Sequence, residues 1–306
     1  MKVSILGTNG FLSTIYAQFC NQKKYELDMY GLNEPKDNSF SHFFKVNLAT
    51  EDLDYISLKK SDIIVYAIGA GIQANLKESS ALIYNLNVTV PMNICNKLRG
   101  IGYKGVFISF GSYFEMGNTL QNCPLTELDI ENSTFEAPND YAVSKRMLTR
   151  FASSFASEFT YWHFILPTIY GEKENPLRLI PYTINSIINN TPLSFTVGNQ
   201  VRQYVYVNEV ANVIDMAYKK HLPAGIYNIA GPEIFTVKDL VMMVGATMGK
   251  EVPPSCFGSV QRSDASKMKY LALNGDKLYK VLDYKYSVLI MDVIAKYEAL
   301  YRTIKY

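Results

Sequence analysis

Tyr141 and Lys145, in NDYAVSKRM (139–147), stand four places apart with no charge between them. On a helix, positions i and i+4 share a face. A free phenol has a pKa near ~10, too high to trade protons readily at neutral pH. An ammonium one turn away favours the phenolate and lowers that value. A tyrosine so placed is a usable acid or base. The same spacing also serves to hold a helix surface in place, and a chain with 23 tyrosines contains such pairs by chance.

The elements that must position these groups alternate in type. KVSIL (2–6), YELDMYG (25–31), HFFKV (42–46), DIIVYAI (62–68), KGVFISF (104–110) and YWHFIL (161–166) read as strands. Helices are expected over 11–22, 78–99 and 139–158, the last with Pro138 and Asp140 as entry signals. DIIVYAI is apolar and β-branched, as a strand covered on both faces requires. This alternation predicts an α/β fold, a Rossmann-type doubly wound parallel sheet. Ligands of such sheets sit at the carboxyl ends of the strands, where each polar cluster here falls.

After PTIYG (167–171) the pattern loosens, and Asn, Pro and Gly become frequent. Helices at about 177–190 and 236–248 mix with short strands at 193–197, 203–207 and 225–229. The expected organisation is a dinucleotide-binding domain over 1–170, with a return segment at about 203–222. A smaller α+β C-terminal substrate lobe fills 171–306.

The 306 residues are 48% hydrophobic and 19% charged, with net charge +2, an ordinary globular balance. No basic stripe supports a nucleic-acid partner, and no apolar run supports a membrane span. MKVSIL reaches glycine too early for a secretory core, so a cytoplasmic setting is expected. Cys20, Cys95, Cys123 and Cys256 form no C-x-x-C, and His42, His163 and His221 are far apart. Neither set has metal-ligand spacing, so no metal is expected.

ILGTNGFLST places Gly7, Gly10 and Ser13 between the first strand and the first helix. The first glycine permits a tight turn, and the second lets backbone approach a pyrophosphate. The helix start supplies amides and positive dipole. Ser13 meets the need for a small third residue. An acidic residue ending the second strand would grip the ribose hydroxyls of NAD. Here the strand runs into MYGLNEPK, with Gly31, Leu32 and Asn33 in the relevant places. Asn33 could bond a hydroxyl or a phosphate, and Lys36 adds a cation. That charge balance favours NADP(H), with NAD(H) possible if Glu34 turns inward.

In register along nearly the whole chain, these segments resemble the extended short-chain dehydrogenase/reductase family. Its members are nucleotide-sugar epimerases, dehydratases and reductases. GTNGFLS resembles its glycine loop, DIIVYAIGAG its fourth strand, and NVTVPMNI (87–94) its Asn-containing helix. ISFGSYFEMG resembles its serine segment, YAVSK its Y-x-x-x-K, and LPTIYG the segment after the sixth strand. SFTVGNQVRQYVYVNEV and QRSDASKMKYLALNGDKL resemble its two arginine-bearing stretches.

The resemblance implies a catalytic set of Ser112, Tyr141 and Lys145, with Ser109 as the rival hydroxyl. It implies cofactor contacts from Gly7, Asn9, Gly10, Phe11, Leu12, Asn33, Ala67, Asn87, Tyr141, Lys145 and Pro167. It assigns substrate contacts to Ser112, Arg202 and Arg262. It also implies a homodimer built on helices 78–99 and 139–158. Departures occur at Gln203, where Asp or Asn is usual, at Asn208-Glu209, at Met116 and at Leu166. The T-D-E of sugar 4,6-dehydratases is replaced by Ser112, Tyr113 and Phe114, with Glu115 one place late. GSYFE looks more like the G-T-[FYW]-W-Q of CDP-paratose-synthase-like 4-ketosugar reductases. The expected function is NADPH-dependent reduction of a nucleotide-diphospho-4-keto-(deoxy)sugar at carbon 4, for surface polysaccharide. The alternatives are a nucleotide-sugar 4-epimerase with tightly bound NAD and a cofactor-binding sensor or scaffold.

Overall fold

The computed structural model describes residues 1–72, 76–260 and 268–303. The chain begins with β1 (Lys2–Leu6), α1 (Phe11–Gln22), β2 (Glu26–Gly31) and β3 (His42–Lys45). A short α2 (Tyr55–Leu58) precedes β4 (Ile63–Tyr66). Then come α3 (Ser80–Tyr84), a π turn (Asn85–Thr89), α4 (Val90–Gly100) and β5 (Val106–Ser112). A 3-10 turn (Tyr113–Met116), α5 (Glu127–Glu131), α6 (Asp140–Ser154) and β6 (Thr160–Leu166) follow.

The later part holds β7 (Thr168–Tyr170), α7 (Leu179–Asn189), β8 (Val201–Tyr206), α8 (Val207–Lys219) and β9 (Gly225–Asn228). It ends with β10 (Glu233–Thr236), α9 (Val237–Thr247), β11 (Tyr270–Leu271), α10 (Asp276–Leu282) and α11 (Ile290–Thr303).

The main sheet has seven strands in the order β3-β2-β1-β4-β5-β6-β9, and every pairing is parallel. Successive side chains of a strand point to opposite faces. Ile5, Ile63 and Val65 therefore join Tyr16 of α1 and Ile214 of α8 in one core. Leu6, Ile64 and Tyr66 join Ile94 and Leu98 of α4 in the other. Burying such a side chain fully contributes about 1.5–3 kcal/mol, so both faces must be covered. The chain order reverses between β1 and β4, which sets the glycine loop at the switch point of the sheet.

A smaller sheet runs β10-β8-β11, with β7 also paired to β8. Its core gathers Ile180 and Ile184 of α7, Val244 of α9 and Tyr297 of α11. Segment 225–229 was expected among the strands of the smaller lobe. Instead β9 pairs with β6 and closes the main sheet. The strand expected at 193–197 is reduced to a single bridge between Phe195 and Phe257. The helix expected over 78–99 is divided by the π turn. Pro91 has no amide to give to the Asn87 carbonyl, so the regular ladder is interrupted there. Among the described residues, no helix is long and apolar enough to cross a membrane.

Candidate active site

α6 carries both residues of the tyrosine–lysine pair. Asn139 caps it, its side chain accepting from the Ala142 amide at 3.0 Å. The Asp140 carboxylate receives the hydroxyls of Ser80 and Tyr84 from α3. β5 ends at Ser112, which is 6% exposed and caps the following 3-10 turn. The Ser112 hydroxyl neighbours the Tyr141 phenol closely enough to favour its ionised form. The Lys145 ammonium lies 5.9 Å from the centre of the Tyr141 ring and donates to the Phe110 carbonyl at 2.8 Å. Ser112, Tyr141 and Lys145 therefore meet at the carboxyl end of β5. Ser109 lies deeper, bonded to Tyr161 at 2.8 Å and to His163 Nδ1 at 2.7 Å.

The electrostatics differ from the expectation that Lys145 would lower the Tyr141 pKa. Burial dominates and pushes Tyr141 up to about 12, although the neighbouring Ser112 hydroxyl opposes it. Lys145 directs its charge at the Phe110 carbonyl. Burial pulls its own pKa down to about 8, against the nearby Glu115 carboxylate. The phenol is thus held as a proton donor at neutral pH.

The glycine loop is built for close approach. Gly7 has φ +103°, and a Cβ there would lie 2.8 Å from Ile68 Cγ1. The amides of Phe11, Leu12 and Ser13 open α1, ahead of its first internal bond from Thr14 to Gly10. Ser13 turns its hydroxyl back to Gly10 at 3.0 Å. The loop is tied to the segment after β2. Thr8 donates to the Asn33 carbonyl at 2.6 Å, and Asn9 donates to the Glu34 carbonyl at 3.0 Å. The Glu34 side chain is exposed, as is Lys36. Asp28, the buried carboxylate of β2, lies against Lys2 and His42. Ala67 follows β4, and Pro167 links β6 to β7. At the end of β7, a Cβ on Gly171 would lie 3.2 Å from Phe11.

Asn87 was expected among the cofactor contacts. Its amide is instead engaged inside the protein, bonding the Ala70 amide and carbonyl and the Ser144 hydroxyl, each at 2.9 Å. It positions the loop after β4 against α6. Gly71, with φ +82°, completes that approach, since a Cβ there would stand 3.3 Å from Tyr141 Cβ. A tight glycine turn, helix-opening amides and a buried lysine beside a tyrosine together fit a dinucleotide with its pyrophosphate on α1.

Arg202 projects from β8, donates to the Val201 and Met268 carbonyls at 2.7 and 2.9 Å, and lies 5.9 Å from the Phe114 ring centre. Arg262 lies outside the described residues. Gln203, a departure from the family pattern, pins the Gly231 and Leu273 carbonyls at 2.9 and 3.2 Å. Sequence reasoning missed Arg178, whose charge reaches Tyr141, Tyr113 and Tyr204 and whose guanidinium pairs with Glu174 at 3.2 Å. A signal was available, because a cation at the start of a helix opposes the dipole and needs another reason to be there. Sequence reasoning read Glu115 only as an acid one place late; the residue is fully buried and accepts the Ser112 amide.

Among the described residues, Glu26, Asp28 and His42 form one cluster of metal-ligand types. Lys2 already occupies it, its ammonium 2.7 Å from Glu26 and 2.8 Å from Asp28.

Among curated proteins, a dTDP-D-glucose 4,6-dehydratase of Dictyostelium discoideum is 25% identical over 256 residues, 74% of this chain and 58% of that protein. A CDP-abequose synthase of Salmonella muenchen is 28% identical over 149 residues, 48% of this chain and 46% of that protein. The chain thus spans only about half the length of each. Among solved structures, MoeE5 in complex with UDP-glucuronic acid and NAD aligns with TM-score 0.81 at 15% identity, covering 99% of both chains. At that identity the likeness shows the fold. The model of the NAD dependent epimerase/dehydratase family matches residues 3–230, three quarters of the sequence, and the chain belongs to that family.

Proposed function

We propose that this protein is an oxidoreductase that reduces a nucleotide-diphospho-4-keto-(deoxy)sugar at carbon 4, using NADPH, in the making of surface polysaccharide. The observation that carries this reading is the meeting of Ser112 and Tyr141 above Lys145, beside the glycine loop. When bound, the dinucleotide supplies the hydride that carbon 4 takes up. Gly7, Gly10 and the amides of Phe11 and Leu12 would hold its pyrophosphate, and Lys145 its nicotinamide ribose. Ser112 and Tyr141 bond the keto oxygen, and Tyr141 gives its proton to that oxygen as negative charge develops. The raised pKa of Tyr141 suits this role, because the donor must be protonated at rest. Arg178 and Arg202 would take the diphosphate of the sugar nucleotide.

Glu115 bears on the kind of reaction. It accepts the Ser112 amide and the Thr149 hydroxyl and has no exposed surface, so it is withdrawn from any sugar. Elimination of water needs an acid and a base at the substrate, and this favours reduction over dehydration. NADPH is proposed over NADH because β2 ends without a carboxylate facing the loop, while Asn33 and Lys36 stand there. A second reading, a 4-epimerase with tightly held NAD, is favoured by a relative described as a putative UDP-glucose 4-epimerase, 23% identical over 81% of this chain.

The working form is proposed to be a homodimer. Val88, Met92, Met147 and Phe151 of the π turn, α4 and α6 line a surface groove with Arg146 and Arg150. Incubation with a panel of nucleotide sugars and their 4-keto derivatives, with NADPH and with NADH, tests the whole reading. Stoichiometric NADPH oxidation supports reduction. Isomerisation without net oxidation supports the epimerase.

A further inference from the structure

We propose that Glu115 is a positioning residue for this site: a buried carboxylate that clamps Ser112, ties the end of β5 to α6 through Thr149 and faces Lys145 as its counter-charge. The inference rests on the reading that Ser112, Tyr141 and Lys145 do the chemistry. It adds a fourth group that touches neither sugar nor cofactor.

Glu115 Oε1 accepts the Ser112 amide at 2.6 Å, which fixes the backbone that carries the hydroxyl beside Tyr141. Its Oε2 accepts the Thr149 hydroxyl, one turn of α6 beyond Lys145. Thr149 has one proton and gives it to the carboxylate, so it must accept from His163 Nε2 at 2.9 Å. That leaves His163 Nδ1 to accept from Ser109 at 2.7 Å, and Ser109 to accept from Tyr161 at 2.8 Å. Each donor along this line therefore points toward Glu115, and the line suits an ionised carboxylate. Burial and Lys145 hold His163 far below its usual pKa, so it stays neutral within it. Gly111 is where the groups converge, since a Cβ there would collide with Glu115 Oε1 and His163 Nε2.

The ionisable groups facing Glu115 are Lys145, Arg146 and Tyr141 from α6 and His163 from β6. Arg146 Nε donates to the Glu115 carbonyl at 2.8 Å. From α5, Glu127 turns to the Asn228 amide at 2.8 Å. Burial pushes Glu115 up to about 7, against the Thr149 and Ser112 hydrogen bonds and the charges of Lys145 and Arg146. Burial pulls Lys145 down to about 8, against Glu115. Each group thus supports the charged form of the other, and losing the carboxylate lowers the Lys145 pKa further.

Glu115→Gln isolates the charge. The Gln oxygen can still accept from Ser112. Its NH2 can donate to Thr149, whose proton then turns to His163. The test follows the titration of Lys145 by NMR in protein labelled at lysine Cε, the signal assigned with Lys145→Met. The wild-type midpoint should lie near pH 8. In Glu115→Gln it should fall by about half a unit or more. Turnover should fall with it on the alkaline side, through kcat with KM little changed. Should Glu115→Gln fail to fold, the reciprocal titration decides: Lys145→Met should raise the midpoint of the Glu115 carboxyl carbon above that of wild type. Equal Lys145 midpoints in wild type and Glu115→Gln, or an unmoved Glu115 midpoint in Lys145→Met, overturn the inference. Because the titrations need no substrate, a shifted midpoint with no turnover on any nucleotide sugar supports the coupling and counts against the functional reading alone.

Discussion

Asn87 donates to the Ser144 hydroxyl at 2.9 Å across 57 positions of sequence, and Ser144 in turn donates to the Tyr141 carbonyl at 2.9 Å. The same amide holds Ala70, so one side chain ties the loop after β4 to the helix that bears Tyr141 and Lys145. Asn87→Ala would leave the Ala70 groups and Ser144 buried without this partner. A loss of about 1–3 kcal/mol of stability is expected, read by urea unfolding. Dinucleotide affinity should also fall, because the loop against Tyr141 loosens. Wild-type stability in this variant would contradict the role given to Asn87.

The end of β2 predicts cofactor choice. With Asn33 and Lys36 beside the loop and Glu34 exposed, NADPH should bind more tightly than NADH. Lys36→Glu should narrow the gap by repelling the extra phosphate. Calorimetric titration measures both. A tenfold advantage for NADH in the wild type, about 1.4 kcal/mol, would sink this part of the account.

Glu115 predicts a pH dependence of stability. Its carboxyl is raised to about 7 in the fold from an ordinary 4.5. The folded state therefore holds the proton more tightly than the unfolded state. The stabilisation is complete below about pH 4.5 and is lost as pH rises through about 7. Glu115→Gln cannot titrate there. The melting temperature of the variant minus that of wild type should therefore grow between about pH 5 and pH 8. A difference that stays flat across this window would refute the raised value.

The α4 and α6 face predicts assembly. Met147 is 47% exposed and sits beside Phe151 and Met92 in the groove. Sedimentation should report a dimer, and Met147→Asp should shift it toward monomer by placing an unpaired charge in an apolar contact. A wild-type chain that sediments as a monomer at micromolar concentration would rule the dimer out.

How much of this was legible in the sequence depends on the kind of signal. Strands β1, β4, β5 and β6 were readable because strands covered on both faces are nearly continuous apolar runs. β9 was not, because four residues, Gly225–Asn228, do not say which sheet they join. The π turn was hidden by a helical pattern that ignores the missing amide of Pro91. Spacing brought Tyr141 and Lys145 to one face, but it could not weigh burial against charge, and burial set the phenol. Glu115 was seen only as a misplaced acid. Its partner Thr149, and His163 bonded to Thr149, come from other elements, and only the folded sheet brings them together.

The central claim is that Tyr141 gives the proton that accompanies reduction. Single-turnover NADPH oxidation by wild type and Tyr141→Phe, with the 4-keto sugar nucleotide that wild type reduces, tests it most directly. The account predicts a rate lower by about 10²–10⁴-fold in the variant, with the NADPH dissociation constant nearly unchanged. A variant that oxidises NADPH at the wild-type rate would contradict it.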